Sequence, residues 1–200
     1  MSMTEKTFEP PSDLQMQCVD SAAALHYLAI RQSAWTAALG NAGSDPAADE
    51  VAAFAEVGNE IDAQFAEIGK HADRIREMFE QYGPWLNERI SAALASGQFP
   101  DEQVATLRRV TGADDEDFAS RGAALASSLR KSVPDIRSQI KDRIGGVPNG
   151  SSLLFIDGAS LGCGMIAAGT MIGFALCPKT LGVGCVVGAA GMIAMVALGC

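Results

Sequence analysis

The last 56 residues of this chain are almost free of charge, and that constrains the fold more than any other feature. Of the 24 acids and 15 Lys and Arg in the sequence, residues 145–200 hold only Asp157 and Lys179. The same stretch carries 13 of the 21 glycines and four of the five cysteines. The formal charge of −9 therefore resides in residues 1–144, and the mean hydropathy of +0.14 averages two unlike parts. Such composition excludes a uniform globular domain. It also argues against nucleic acid as a partner, because phosphate neutralisation needs a basic face.

The breaker-rich stretch Gly145-Gly146-Val147-Pro148-Asn149-Gly150 coincides with the change in composition and marks the expected domain boundary. Residues 1–144 are expected to form one domain and residues 145–200 another. Beyond the boundary, residues 153–177 are apolar apart from Asp157, and residues 181–200 carry no charge. Pro178-Lys179-Thr180 separates them, and proline cannot continue a helix without losing a backbone bond. Each stretch, if helical, reaches the roughly 20 residues that span a hydrocarbon core of about 30 Å. The alternative is a helical hairpin buried in a protein core.

Gly169 with Gly173, and Gly184 with Gly188, form GxxxG steps that allow two helices to approach closely, in lipid or in a compact peptide. Gly162-x-Gly164 and Gly182-x-Gly184 lack the βαβ context and the following Lys-Ser/Thr of a phosphate loop. In an antiparallel hairpin turning at residues 178–180, positions with equal number sums lie at similar heights. Cys177 pairs with Cys185 and Cys163 with Cys200 under this rule, as two nested rungs about residue 181. Four cysteines allow three pairings, and helical phase must also agree. Confinement of these cysteines to the one exportable-looking segment favours the oxidised state. Reduced, small core cysteines are the alternative.

Upstream, apolar residues recur at helical intervals. Leu14, Cys18, Leu25, Leu28, Trp35 and Leu39 predict an amphipathic helix from Asp13 to Gly40. Val51, Phe54, Gly58, Ile61, Phe65, Ile68, Ala72, Ile75, Phe79 and Tyr82 form a heptad seam ending at Gly83-Pro84, with Ser44 and Asp45 as caps and Pro46 in the first turn. Gly58 and Ala72 in that seam suit a bundle core better than a dimer zipper. Shorter helices are predicted over residues 84–96, 101–110 and 114–132, and a last one opening at Pro134. No strand-like alternation appears before Gly145. The expected fold is all-α, an N-terminal amphipathic helical bundle followed by a glycine-rich apolar helical hairpin.

Catalytic and metal-binding constellations are missing from the pattern. His26 and His71 belong to no HExxH or CxxC motif, and Cys18 has no spaced partner. His26 is expected to be partly exposed, His71 to lie on the solvent side, and Cys18 to be a small buried hydrophobe. Glu56, Glu60 and the run Asp114-Asp115-Glu116-Asp117 read as solvated faces or helix starts rather than paired catalytic carboxylates. Neither an enzyme, nor a cofactor, nor a metal site is expected. The amino-terminal MSMTEKTFEPPSD lacks the basic start and apolar core of a secretory signal, so export would need a dedicated exporter or the apolar tail.

A long acidic helical leader, the junction Gly145-Gly146 and the run GCGMIAAGTMIGFALCPKTLGVGCVVGAAGMIAMVALGC at 162–200 together resemble a bacteriocin precursor. The likeness is to halocin-type and other cysteine-containing hydrophobic bacteriocins. The nested cysteine spacing is similar to the disulfide-linked helical hairpin of glycosylated bacteriocins. The resemblance covers the last quarter of the chain. It implies a secreted, membrane-active antimicrobial peptide, cut at Gly146 or at a position up to Leu161, with a lipid membrane as target. An exporter or processing protease would be its partner, Lys179 would engage anionic headgroups, and the hairpin could self-associate. The precursor itself would be cytoplasmic or membrane-associated. The rival expectation is an intact interaction protein anchored by a transmembrane hairpin, which the basic residues Arg137, Lys141 and Arg143 before the boundary would suit.

Overall fold

The computed structural model of the chain describes residues 9–41, 47–112, 117–145, 158–176 and 183–200. Among these residues the protein is entirely helical, with six helices and no strand. They are α1 (Ser12–Asn41), α2 (Ala48–Leu94), α3 (Asp101–Thr111), α4 (Phe118–Ile144), α5 (Gly158–Leu176) and α6 (Val183–Ala197).

The seam of α2 packs as its spacing requires. Ile61, Phe65, Ile68, Ala72, Ile75, Phe79 and Tyr82 are all buried, whereas Val51 at the amino-terminal end is 46% exposed. The predicted caps Ser44 and Asp45, with Pro46, lie outside the described residues; at Ala47 the backbone N–H donates to Glu50 Oε2 at 3.2 Å. Helix α2 does not end at Gly83-Pro84 as expected. Tyr82 leaves helical geometry (φ −119°, ψ 23°), and the helix bends and resumes through Pro84 to Leu94. Proline removes one hydrogen bond and crowds the preceding turn. Burial of Trp85, Leu86, Ile90 and Leu94 just beyond the bend outweighs that local loss.

The same competition corrects a second expectation. Pro134 does not open a new helix but sits inside α4. Val133, Ile136 and Ile140 around it are buried, and Arg137 makes a bidentate pair with Asp62 of α2 at 2.8 and 3.0 Å. Residues 114–116 of the predicted helix start lie outside the described residues. Asp117 accepts the Ser120 N–H at 3.2 Å and so caps α4. Helix α3 follows its sequence signals closely: Asp101 and Glu102 open it, Arg108 and Arg109 close it, and Gly112 ends it at φ +65° with its N–H on Arg108 O.

The change of composition at Gly145 is not a boundary in the packing. Helix α5 packs against all five other helices, and its side chains from Gly162 to Leu176 are buried without exception. Met165, Ile166, Met171, Ile172, Phe174 and Leu176 belong to one hydrophobic core with Leu25 of α1, Phe65 of α2 and Leu129 of α4. The hairpin and the bundle are thus interleaved rather than consecutive, and α5 is the central helix. What makes room for it is α1. Cys18, Leu25, Leu28 and Trp35 are buried on that helix, and so are the small residues Ala22 and Ala29. Ala22 and Ala29 lie against Gly169 and Gly162 of α5.

Helix α6 covers α5 from outside. Gly184, Gly188, Gly191, Met192 and Met195 point inward, while Val183, Val186, Ile193 and Val196 remain 43–69% exposed. At fifteen residues α6 is about 22 Å long at ~1.5 Å per residue. Among the described residues no helix is long and apolar enough to cross a membrane.

Candidate functional site at the apolar hairpin

A disulfide joins Cys163 near the start of α5 to Cys200 beyond the end of α6, with the Cα atoms 5.7 Å apart. This closes the open end of the antiparallel pair. Cys185 is also disulfide-bonded; Cys177, its expected partner, lies outside the described residues. Gly145 is exposed at the end of α4, where its N–H bonds to Lys141 O at 2.9 Å. Gly146 and the remaining candidate cleavage positions before Gly158 are outside the described residues.

The four glycines expected to pack two helices together serve two different contacts. A methyl group built on Gly173 would strike the backbone of α6, 2.9 Å from both Gly184 O and Gly188 Cα. Gly173, Gly184 and Gly188 thus permit backbone-to-backbone contact between α5 and α6. A methyl on Gly188 would also meet the ring of Phe174. Gly169 faces elsewhere: a methyl there would lie 2.9 Å from Ala22 O and 2.6 Å from His26 Nε2, both on α1. Its GxxxG step therefore straddles the groove between α1 and α6.

Three residues meet in that groove: His26, expected to be partly exposed, and Thr170 and Gly191, to which the spacing assigns no role. His26 is not partly exposed, as its position in an alanine-rich helix suggests, but 7% exposed. The Nε2–H of His26 donates to Ile166 O at 3.0 Å, and the hydroxyl of Thr170 donates to the same carbonyl at 2.7 Å. Thr170 Oγ1 and His26 Nε2 are 3.5 Å apart. A methyl on Gly191 of α6 would strike Thr170 Oγ1 and come within 2.6 Å of His26 Cε1. Glycine at 169 and 191 therefore forms the cleft that admits the imidazole. Burial holds the His26 pKa below its ordinary value of 6.5, against the opposing effect of the backbone bond to Ile166. One signal was available: Thr170 is the single hydroxyl in an apolar run from 162 to 176, and a polar side chain there needs a partner.

His71, Cys18 and the polar residues at the α2 bend are buried or engaged within the fold. His71 is half-buried rather than on the solvent side, with Nδ1 3.0 Å from Ser21 Oγ. Its pKa is lowered by burial first and by Arg74 next. Cys18 is buried and free, and burial pushes its thiol up to about 12. At the α2 bend a groove of about 360 Å³ is lined by Phe79, Pro84, Asn87, Asp117 and Ser120. Asn87 accepts the Ala119 N–H at 2.8 Å and donates to Asp117 Oδ1 at 3.3 Å, so these polar groups already serve the start of α4. Among the described residues no group of His, Cys, Asp or Glu could hold a metal ion.

The chain matches no protein-family model, no curated protein and no solved structure.

Proposed function

We propose that the protein is the precursor of a secreted, membrane-active antimicrobial peptide in which α1 to α4 carry a disulfide-stapled apolar hairpin, α5 and α6, in a form compatible with water. The observation that carries this reading is the complete burial of α5 from Gly162 to Leu176 inside a sheath of charged amphipathic helices. Burying a large apolar side chain is worth roughly 1.5–3 kcal/mol, so the six large side chains of α5 represent about 10–20 kcal/mol. Once exposed, α5 favours another apolar phase, and lipid is such a phase.

Helix α6 offers the first contact. Its outward stripe of Val183, Val186, Ile193 and Val196 has no charged residue on the same helix. The reading requires the apolar faces of the hairpin to enter lipid, not each helix to cross it. Cleavage at a position from Gly146 to Leu161 would free the hairpin from α4, with a dedicated exporter or protease as the partner. The Cys163–Cys200 bridge would keep the two helices together afterwards. An anchor permanently resident in the membrane would leave the matching burial between α5 and α1 without a purpose.

Intact mass of the species carrying Cys200, taken from culture supernatant with and without reduction, tests the proposal. The expected result is a carboxy-terminal fragment that gains about 4 Da on reduction, the mass of four hydrogens for two bridges. Only full-length, cell-associated protein would sink it.

A further inference from the structure

The contact between α1 and the hairpin is built around an ionisable side chain that, among the described residues, has no compensating charge beside it. His26 of α1 inserts between Gly169 of α5 and Gly191 of α6, and its Nε2–H is bonded to Ile166 O. Because that carbonyl only accepts, the neutral ring carries its proton on Nε2, and a second proton must go to Nδ1. Among the described residues, α5 and α6 contain no Asp, Glu, Lys, Arg or His, and their cysteines Cys163, Cys185 and Cys200 are disulfide-bonded. On α1 itself Asp20 and Tyr27 are exposed, and Arg31 is paired with Glu60. From α2, His71 and Arg74 reach Ser21 rather than His26. The only influences resolved on His26 are burial and the bond to Ile166.

We propose that this notch is an acid-sensitive latch, in which uptake of one proton by His26 loosens α1 from the α5–α6 hairpin. Among the described residues a cation between two glycines and a threonine has no anion to pair with, and a ring that is 7% exposed reaches little water until the helices separate. The open state hydrates the imidazolium and so binds the proton more readily. The closed state has the lowered affinity, so opening is unaffected above the ordinary histidine value of 6.5 and becomes easier as pH falls below it. Release proceeds as one unit because Cys163–Cys200 ties α6 to α5. The latch deepens the membrane-active reading by giving it a trigger, and it rests on that reading for its purpose though not for its physics.

The test uses the oxidised full-length chain. Opening is followed from pH 8 to 4.5 by hydrogen exchange in α5, corrected for the intrinsic pH dependence, and by binding of an apolar dye. The expected result is an opening constant that rises by up to about tenfold per pH unit below about 6.5. His26→Gln should abolish this rise, whereas His71→Gln should retain it. A His26→Gln curve that follows the wild type, or a wild-type curve flat from pH 7.5 to 5, would overturn the latch. If His26→Gln fails to fold by circular dichroism at pH 7.5, NMR titration of the wild-type imidazoles decides. Loss of α5 protection must then track His26, and protection that survives its protonation refutes the proposal. Dye leakage from anionic phosphatidylglycerol vesicles is read in parallel. Acid opening without leakage keeps the latch and removes the membrane reading, while leakage with no acid opening does the reverse.

Discussion

The contact between α2 and α4 and the contact between α5 and its neighbours are both tightly packed, but by different means. Between α2 and α4, large side chains interlock and charges fasten the edges: Phe79 presses on Gly122, Arg137 and Lys141 converge on Asp62, and Arg130 reaches Asp73. Around α5, large apolar side chains such as Met165, Ile172 and Phe174 fill the core, but no charge fastens the edges. Backbones meet at Gly173 with Gly184 and Gly188, and at Gly169 with Ala22, while a disulfide supplies the covalent tie. The first contact is tuned by volume and ionisation. The second adds close backbone approach at glycines, with the ionisable side chain of His26 set into it.

Substitutions should separate the two. The largest effect is expected in the bundle: Phe65→Ala, which empties a site with 0% exposure, should cost about 3–5 kcal/mol in urea unfolding. A loss below about 1 kcal/mol would mean that the seam is not the scaffold. Next comes the hairpin tie. Cys163→Ser should lower stability by about 2–4 kcal/mol under oxidising conditions and by nothing once the parent is reduced. An equal loss under both conditions would place the effect in packing rather than in the bridge.

Gly173→Val should cost about 1–3 kcal/mol, because the added carbons meet the α6 backbone, which cannot rotate away as a side chain can. The same experiment at Gly97, where nothing lies within 4 Å but φ is +70°, isolates backbone strain from close approach. For Asp62→Asn the pH decides. The Arg137 bond depresses the folded carboxyl below its ordinary value of 3.8, so the wild type holds its advantage above that value. The advantage disappears as pH falls through the folded value. A difference that instead vanished near pH 6 would confuse this clasp with the His26 latch. Smallest in stability, within ~0.5 kcal/mol, should be Ile193→Ser on the exposed stripe. It should nevertheless reduce vesicle binding if α6 makes the first contact with lipid.

Much of the bundle was legible from spacing alone. Apolar steps of three and four residues located the α2 seam, and Gly112 after Arg108-Arg109 located the end of α3, because both signals are local. Pro84 and Pro134 misled for the complementary reason. Each breaks one hydrogen bond, a local penalty, but the residues on either side are held by contacts with distant helices that no short window contains. At the hairpin, number symmetry drew attention to Cys163 and Cys200, which the structure joins. The glycine steps mark where backbones can approach but not which partner each meets: Gly173 faces α6, whereas Gly169 faces α1. His26 was illegible in its own helix, since its burial is created by glycines more than 140 positions away.

What the sequence determined by itself is the partition of charge. Every net negative charge lies before Gly145, the apolar tail is helical in length and glycine spacing, and four of its cysteines stand at nested positions. Those properties follow from residue chemistry and short-range periodicity. Only the tertiary structure decided that the tail is the centre of the protein rather than an appendage. An apolar helix gains the same burial from lipid, from a second copy or from the helices of its own chain. Which one receives it depends on whether a groove of matching width exists, and here Ala22, Ala29, Gly169 and Gly191 make that groove.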